Sequence, residues 1–220
     1  MAKKKHRKLK TKVKSIFLFV IAVSLIGYGG STLYSFYSQQ NEQNQKSEQT
    51  VQKFEETVEK QTASSTEVTT AENQQENEVS IGGQVVGIMY IPSFNNFKHA
   101  IAMGVTNDVL HDYVGMYKSY GMIGEDNSNA VFSSHSALYG SSPISYFNRI
   151  DDIVKVDDEI SILWNDGITY KYKVISVRQY CSPTDKEAFE QPDDGNQYIT
   201  LQTCTHGDGE YRSFIKAIRV

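Results

Sequence analysis

The segment EISILWNDGITYKYKVISV, residues 159–177, carries the pattern that decides the fold. Asn165-Asp166-Gly167 is a tight-turn signal, because these residues tolerate the left-handed backbone that a short hairpin loop needs. The arm before it, Glu159–Trp164, is a mostly aliphatic run. In the arm after it, Ile168, Tyr170, Tyr172 and Val174 share one side, while Lys171 and Lys173 share the other. A period of two means strand, so the segment reads as a β-hairpin with one apolar face.

Working outward, similar short runs recur. Val85–Ile91 is β-branched and aliphatic and stops at Pro92, and Phe97–Met103 follows. Ala130–Ser134, Tyr198–Cys204 and Tyr211–Val220 complete the set. Thr106 is placed to cap a helix through Tyr117 that presents Val109, Leu110, Val114 and Tyr117 on one side. Ile144–Ile150 reads as a helical turn and Asp185–Phe189 as a short helix. Seven or eight short strands with two small helices predict a mainly β fold, a closed or nearly closed barrel over residues 83–220.

Charge divides the 220 residues into parts. The net charge is −4, yet residues 1–14 hold eight basic residues and no acid. Residues 15–82 and 83–220 each carry −6. An acidic body repels phosphate, which argues against a nucleic-acid partner. From Ser15 to Asn41 there is no Lys, Arg, Asp or Glu, and Ile16–Ile26 is nearly all apolar. Residues 15–37 are therefore expected to be a single transmembrane helix anchoring the chain in the lipid bilayer. Tyr28, Tyr34, Phe36 and Tyr37 fall toward its outer interface. A cleaved signal peptide is the rival reading, with a small-residue site around Gly27–Ser31. The run is longer than a usual signal core, and Ser31–Tyr37 continues it, which favours the anchor. Basic flanks stay inside, so residues 1–14 form a cytoplasmic head and the C-terminal domain lies outside the cell membrane. Residues 38–82, rich in Gln, Glu, Asn, Ser and Thr, read as a flexible polar tether. Within it, Val51, Phe54 and Val58 at i, i+3, i+7 allow a short surface helix.

Two cysteines in an extracellular domain admit two readings. Cys181 and Cys204 are either a disulfide, which that compartment permits, or contain a working thiol. A thiol nucleophile needs a base and an anion-stabilising group. Among the histidines, His99 lies in an apolar run and His111 on a polar helix face, both structural or solvated positions. His135 stands at the end of a buried strand, where a side chain can face a cleft. His206 is two residues from Cys204.

Thr200-Leu201-Gln202-Thr203-Cys204, with Arg212 in the next strand and His135 upstream after a hydrophobic strand, closely resembles the TLxTC, His and Arg signature of sortases. The stretch from Val85 to Val220 is similar to that family in order, including Ser182-Pro183-Thr184-Asp185. The resemblance implies a membrane-anchored cysteine transpeptidase of Gram-positive bacteria on a closed eight-stranded β-barrel. Such enzymes cleave an LPxTG-type sorting motif between Thr and Gly and pass the acyl group to a cell-wall precursor amine or, in pilin polymerases, to a lysine. By this resemblance Cys204 is the nucleophile, His135 the general acid/base, and Arg212 the group that binds substrate backbone and the oxyanion. Thr203 and His206, flanking the nucleophile, are expected to contact substrate. Cys181 stands where the family commonly has an aliphatic residue, and reads as a spectator thiol.

The N-terminal anchor and short Cys-to-Arg spacing look most like class A. The Asp-Pro-aromatic lid of class C is missing, and Tyr180–Gln197 is shorter than the helix-bearing insertion of class B. Ser133-Ser134-His135-Ser136 departs from the class A pattern before the histidine. Some class A enzymes bind calcium, for which Glu187, Glu190, Asp193, Asp194, Asp151 and Asp152 are the available acids. A solvated acidic loop is the better explanation of them, and no cofactor or metal is expected.

Overall fold

The hairpin forms as its turn signal requires. In the computed structural model, β5 (Glu159–Trp164) and β6 (Thr169–Cys181) pair antiparallel with Ile162 opposite Tyr170 and Ile160 opposite Tyr172. Gly167 has φ of +83°, a conformation costly for residues with a Cβ. Tyr172 and Val174 are buried in the core, while Lys171 and Lys173 point to solvent. Ile168, expected inside, lies in the turn and is exposed. The structure describes residues 2–64, 85–136, 145–205 and 209–220, without the side chains of residues 2–20, 22, 63 and 64.

In chain order the other elements are α1 (Ala2–Ser64), β1 (Val85–Ile91), β2 (Phe97–Met103), α2 (Asn107–Asp112), β3 (Val114–Met116) and β4 (Ser128–Ser133). Then come α3 (Ile150–Ile153), α4 (Lys186–Phe189), β7 (Gln197–Cys204) and β8 (Arg212–Arg219). The strands close a barrel in the order β1-β2-β3-β4-β7-β8-β6-β5. The β2–β3 and β4–β7 pairs are parallel and the rest antiparallel. Closure pairs both edges of the sheet and leaves no strand edge to recruit another chain. Alternate residues fill the interior: Met89, Ile91, Ile101, Phe132, Ile160, Ile162, Ile199, Leu201, Ile215 and Ala217 are all fully or almost fully buried there. Phe147, Ile150 and Val154 plug one end.

One expected element is corrected. Thr106 does cap a helix, accepting from the Val109 N–H at 3.4 Å, but α2 ends at Asp112 rather than Tyr117. Tyr113 is extended, and Val114–Met116 instead pairs in parallel with β2. Gly115 explains the choice, since a Cβ there would sit 2.5 Å from the Gly104 carbonyl oxygen. Pairing with β2 buries Val114 and Met116 completely, which outweighs a helical pattern of the same residues.

The segment 38–82, expected as a flexible tether, differs in its described part, and residues 65–82 lie outside the described residues. Helix α1 runs through residues 38–64, and compactness divides the chain into Met1–Glu42 and Gln43–Val220. In the second unit, Val51 and Val58 are buried and Phe54 packs beside them. Val51 and Phe54 meet Ile88, Ala100, Ala102 and Tyr113, the outward positions of β1 and β2 and the residue after α2. Ser47 bonds His99 Nδ1 at 2.7 Å, Lys46 pairs with Asp112 at 2.5 Å, and Glu55 pairs with Lys98 at 2.6 Å. Three apolar residues on one stripe thus hold a polar helix. In the first unit, Ile21, Val23, Leu25, Ile26, Tyr28, Leu33, Tyr34 and Tyr37 of the helix are exposed. Among the described residues, no helix is long and apolar enough to cross a membrane. Most of the apolar run Ile16–Ile26 lies outside the described side chains.

Candidate active site

Strand alternation puts the expected functional residues on one outer surface. In β7, Ile199 and Leu201 face the core, so Thr200, Gln202 and Cys204 face outward. In β8, Ile215 and Ala217 face the core, which turns Arg212, Phe214 and Lys216 out. Cys204 stands directly opposite Arg212 in the β7–β8 ladder, and Cys181 opposite Arg212 in the β6–β8 ladder. Directly opposed residues share a face. Cys204, Arg212 and Cys181 therefore form a row across three strands, with the arginine in the middle.

This row settles the two cysteine readings. Both thiols are free. Two strand spacings put their backbones about 10 Å apart, beyond disulfide reach. Cys181 Sγ donates to the Gln179 carbonyl at 3.7 Å, and burial pushes its thiol up, partly opposed by the Arg178 guanidinium.

His135 reaches the same place from β4. The last pair of the parallel β4–β7 ladder is Ser133 with Gln202, and two residues further on each strand lie His135 and Cys204. The Ser134 N–H donates to the Gln202 carbonyl at 3.3 Å, and the Thr203 hydroxyl donates to the Ser134 carbonyl at 3.0 Å. From the other side, the Phe147 N–H donates to the His135 carbonyl at 3.2 Å. The imidazole is half-buried. Burial holds its pKa below 6.5, with a further lowering from His111. It is consequently mostly neutral at neutral pH and able to accept a proton.

Arg212 Nη1 donates to the carbonyls of Gly209 at 2.8 Å and Tyr211 at 3.1 Å. These bonds aim the guanidinium without neutralising it. Its charge is felt at Tyr117, whose phenol is raised first by burial and then by Tyr120, against lowering from Arg212 and Ser133. The Tyr117 hydroxyl donates to Gln202 Oε1 at 2.8 Å. A cluster of aromatic rings extends from there. Tyr120 stacks on Phe189 at 5.0 Å, and Phe189 meets Phe214 edge-on at 5.6 Å. Asp185 caps α4 by accepting from the Ala188 N–H at 3.2 Å and also pairs with Arg178, fixing Phe189 over this surface.

Of the expected site residues, Cys204 and Arg212 are directly opposed, and the backbone of the His135 segment runs alongside the end of β7. Thr203 does not face outward with Cys204: it is buried, and its hydroxyl is committed to Ser134, so it holds the His135 segment instead. His206 lies outside the described residues. Tyr117 was missed, because an outward hydroxyl at a short strand's end leaves no periodic signal. Three of the acids named for calcium have partners within the protein. Glu187 pairs with Arg178, Asp152 with Arg149, and Asp194 accepts from the Tyr198 hydroxyl at 2.6 Å. Among the described residues no group of three or more His, Cys, Asp or Glu gathers to hold a metal.

A family model described as "Sortase domain" matches residues 89–220. Among solved structures, the chain is similar to a lid mutant of sortase A from Corynebacterium diphtheriae, with 28% identity, TM-score 0.56, and coverage of 67% of this chain and 76% of that one. It is similar to sortase C1 from Streptococcus agalactiae at 29% identity and TM-score 0.55, covering 67% and 72%. Streptococcus pneumoniae sortase C shares the fold at TM-score 0.60 and 20% identity, covering 78% and 96%. No curated protein matches the chain. With a family match over more than half of its residues, this chain belongs to the sortases, the cysteine transpeptidases.

Proposed function

We propose that this protein cleaves an LPxTG-type sorting motif between Thr and Gly through a thioester on Cys204. The acyl group then passes to the amine of a cell-wall precursor. The observation that carries the reading is the cross-strand pair of Cys204 and Arg212, with the segment leading to His135 bonded alongside the end of β7. His135 takes the thiol proton and the sulfur attacks the threonine carbonyl carbon. Negative charge then develops on the carbonyl oxygen, where Arg212 stabilises it. As the intermediate collapses, the C–N bond breaks and His135 returns its proton to the departing glycine amine. An incoming amine attacks the thioester, gives a proton to His135, and displaces the Cys204 sulfur.

Location follows from the N-terminal segment. The basic head, the uncharged run 15–37 and the exposed apolar side chains between Ile21 and Tyr37 support a single-pass anchor with the catalytic domain outside the cell. Such an anchor holds the thioester where secreted substrates emerge.

A second reading replaces the cell-wall amine by a lysine of a pilin. It is favoured by identity to a sortase C1 as high as that to a sortase A. Incubating the full-length chain in detergent with an LPxTG-type peptide tests both. The first reading expects cleavage after Thr and transfer to a short cell-wall-type peptide amine. Preferential transfer to a lysine side chain selects the second, and an uncleaved peptide overturns both.

A further inference from the structure

A buried carboxylate lies beneath the catalytic row, and the signature residues do not include it. Asp151, in α3, is 2% exposed, and its Oδ2 accepts from the Ser213 hydroxyl at 2.5 Å and from Gln179 Nε2 at 3.1 Å. Ser213 and Thr205 hydroxyl oxygens are 2.9 Å apart, and the Tyr180 N–H donates to Thr205 Oγ1 at 3.2 Å. A carboxylate that accepts from Ser213 leaves that hydroxyl's oxygen to accept from Thr205. The protons therefore all point one way, from Thr205 to Ser213 to Asp151.

The placement gives this chain of donors its meaning. Thr205 follows Cys204, Ser213 follows Arg212, and Tyr180 precedes Cys181. Alternation turns Thr205 and Ser213 inward where their neighbours turn outward. A further bond from the Thr205 N–H to the Tyr211 carbonyl at 3.0 Å closes the strand ends together. The relay thus ties three strand ends directly under the row that bears the thiol and the guanidinium.

Its composition does not suit a purely structural device. Among the described residues, Asp151 Oδ1 is buried with no hydrogen-bond partner. A desolvated carboxylate with a bare oxygen is costly, and replacing it by a neutral group of the same shape often stabilises a protein. We propose that Asp151 is a positioning residue for the transpeptidation reaction. Through Ser213 and Thr205 it fixes the spacing between Cys204 and Arg212 at which the oxyanion forms. This rests on the proposed roles of Cys204 and Arg212. Because the oxyanion develops during the reaction and is absent from bound substrate, the residue acts on kcat and not on KM.

The experiment measures kcat, KM and thermal midpoint for the full-length chain and for Asp151→Asn, Ser213→Ala and their double variant. Asp151→Asn keeps the shape and removes the charge, and Ser213→Ala breaks the relay with the carboxylate intact. The expected result is a fall in kcat of about 10- to 100-fold in each single variant, with KM within about twofold. The double variant loses no more than the worse single one, and the Asp151→Asn midpoint is equal or higher. Wild-type kcat in both single variants overturns the proposal. So does a kcat loss accompanied by a lowered Asp151→Asn midpoint and a raised KM, which is a structural role. If Asp151→Asn fails to fold, Ser213→Ala alone decides by the same split between kcat and KM. An inactive wild-type chain contradicts the functional reading itself, a separate failure.

Discussion

Two outer faces of the same barrel have opposite fates. On β1 and β2, the outward residues Ile88, Ala100 and Ala102 are apolar and are sealed by Val51 and Phe54 of α1. On β4, β7 and β8, the outward residues include Asn129, Thr200, Gln202 and Phe214, which are buried, and Cys204 and Arg212, which are only half-buried at the strand ends. A histidine stands near each of these regions. His99 is clasped between Ser47, Phe97 and Tyr146, and burial lowers its pKa to about 4. His135 stays half-open beside Cys204, with a smaller lowering of the same origin. A sheet's outer face becomes core when a helix supplies an apolar stripe, and a reaction surface where its strand ends leave polar side chains reachable.

The largest effects should break the open face. Cys204→Ala is expected to abolish peptide cleavage, a loss of at least about 1000-fold in kcat. Cys181→Ala, one strand beyond Arg212, should leave most of the rate. Arg212→Lys keeps the charge but loses the rigid planar fork, and about 100-fold in kcat should go with it. Steady-state assays of the full-length chain check all three, and equal losses from both cysteine changes would undo the assignment of the row.

The sealed face should respond in stability instead. Val51→Asp puts a carboxylate into a buried apolar contact and should destabilise the Gln43–Val220 unit by about 3 kcal/mol in urea unfolding. The same substitution at exposed Val23 should change this little. His99 adds a pH dependence. Its folded pKa lies below its unfolded value, so the unfolded chain takes up the proton first. The stabilisation from neutral His99 is complete above about pH 6.5 and is lost as pH falls toward about 4, in total about 3 kcal/mol. His99→Phe should flatten that part of the stability profile.

The smallest expected effect links the two faces. His111 contacts Gln43 at 3.3 Å and lowers the pKa of His135. His111→Gln should therefore move the acid limb of the kcat/KM profile upward, toward an ordinary histidine. An unmoved limb would mean that the sealed face does not reach the imidazole.

How much of this was legible depended on the kind of signal. β1, β2 and β5 begin and end where the sequence suggests, because apolar runs bounded by Pro92, Gly104 and Asn165 are local information. The row of Cys204 and Arg212 with His135 nearby was legible through resemblance, and the parallel β4–β7 register is its physical basis. The stretch Thr106–Tyr117 misled because its helical spacing competes with a pairing to β2 that only tertiary structure offers. Docking of α1 rests on Val51, Phe54 and Val58 among many polar residues, too few to outweigh the composition. Asp151 read as a surface acid because its partners, Gln179 and Ser213, are distant in sequence.

The most direct test is mass spectrometry of the full-length chain mixed with an LPxTG-type peptide and no amine acceptor. The account predicts a mass increase equal to the peptide's N-terminal fragment through Thr, located on Cys204 and removed by hydroxylamine. No adduct, or one carried by Cys181, would contradict it.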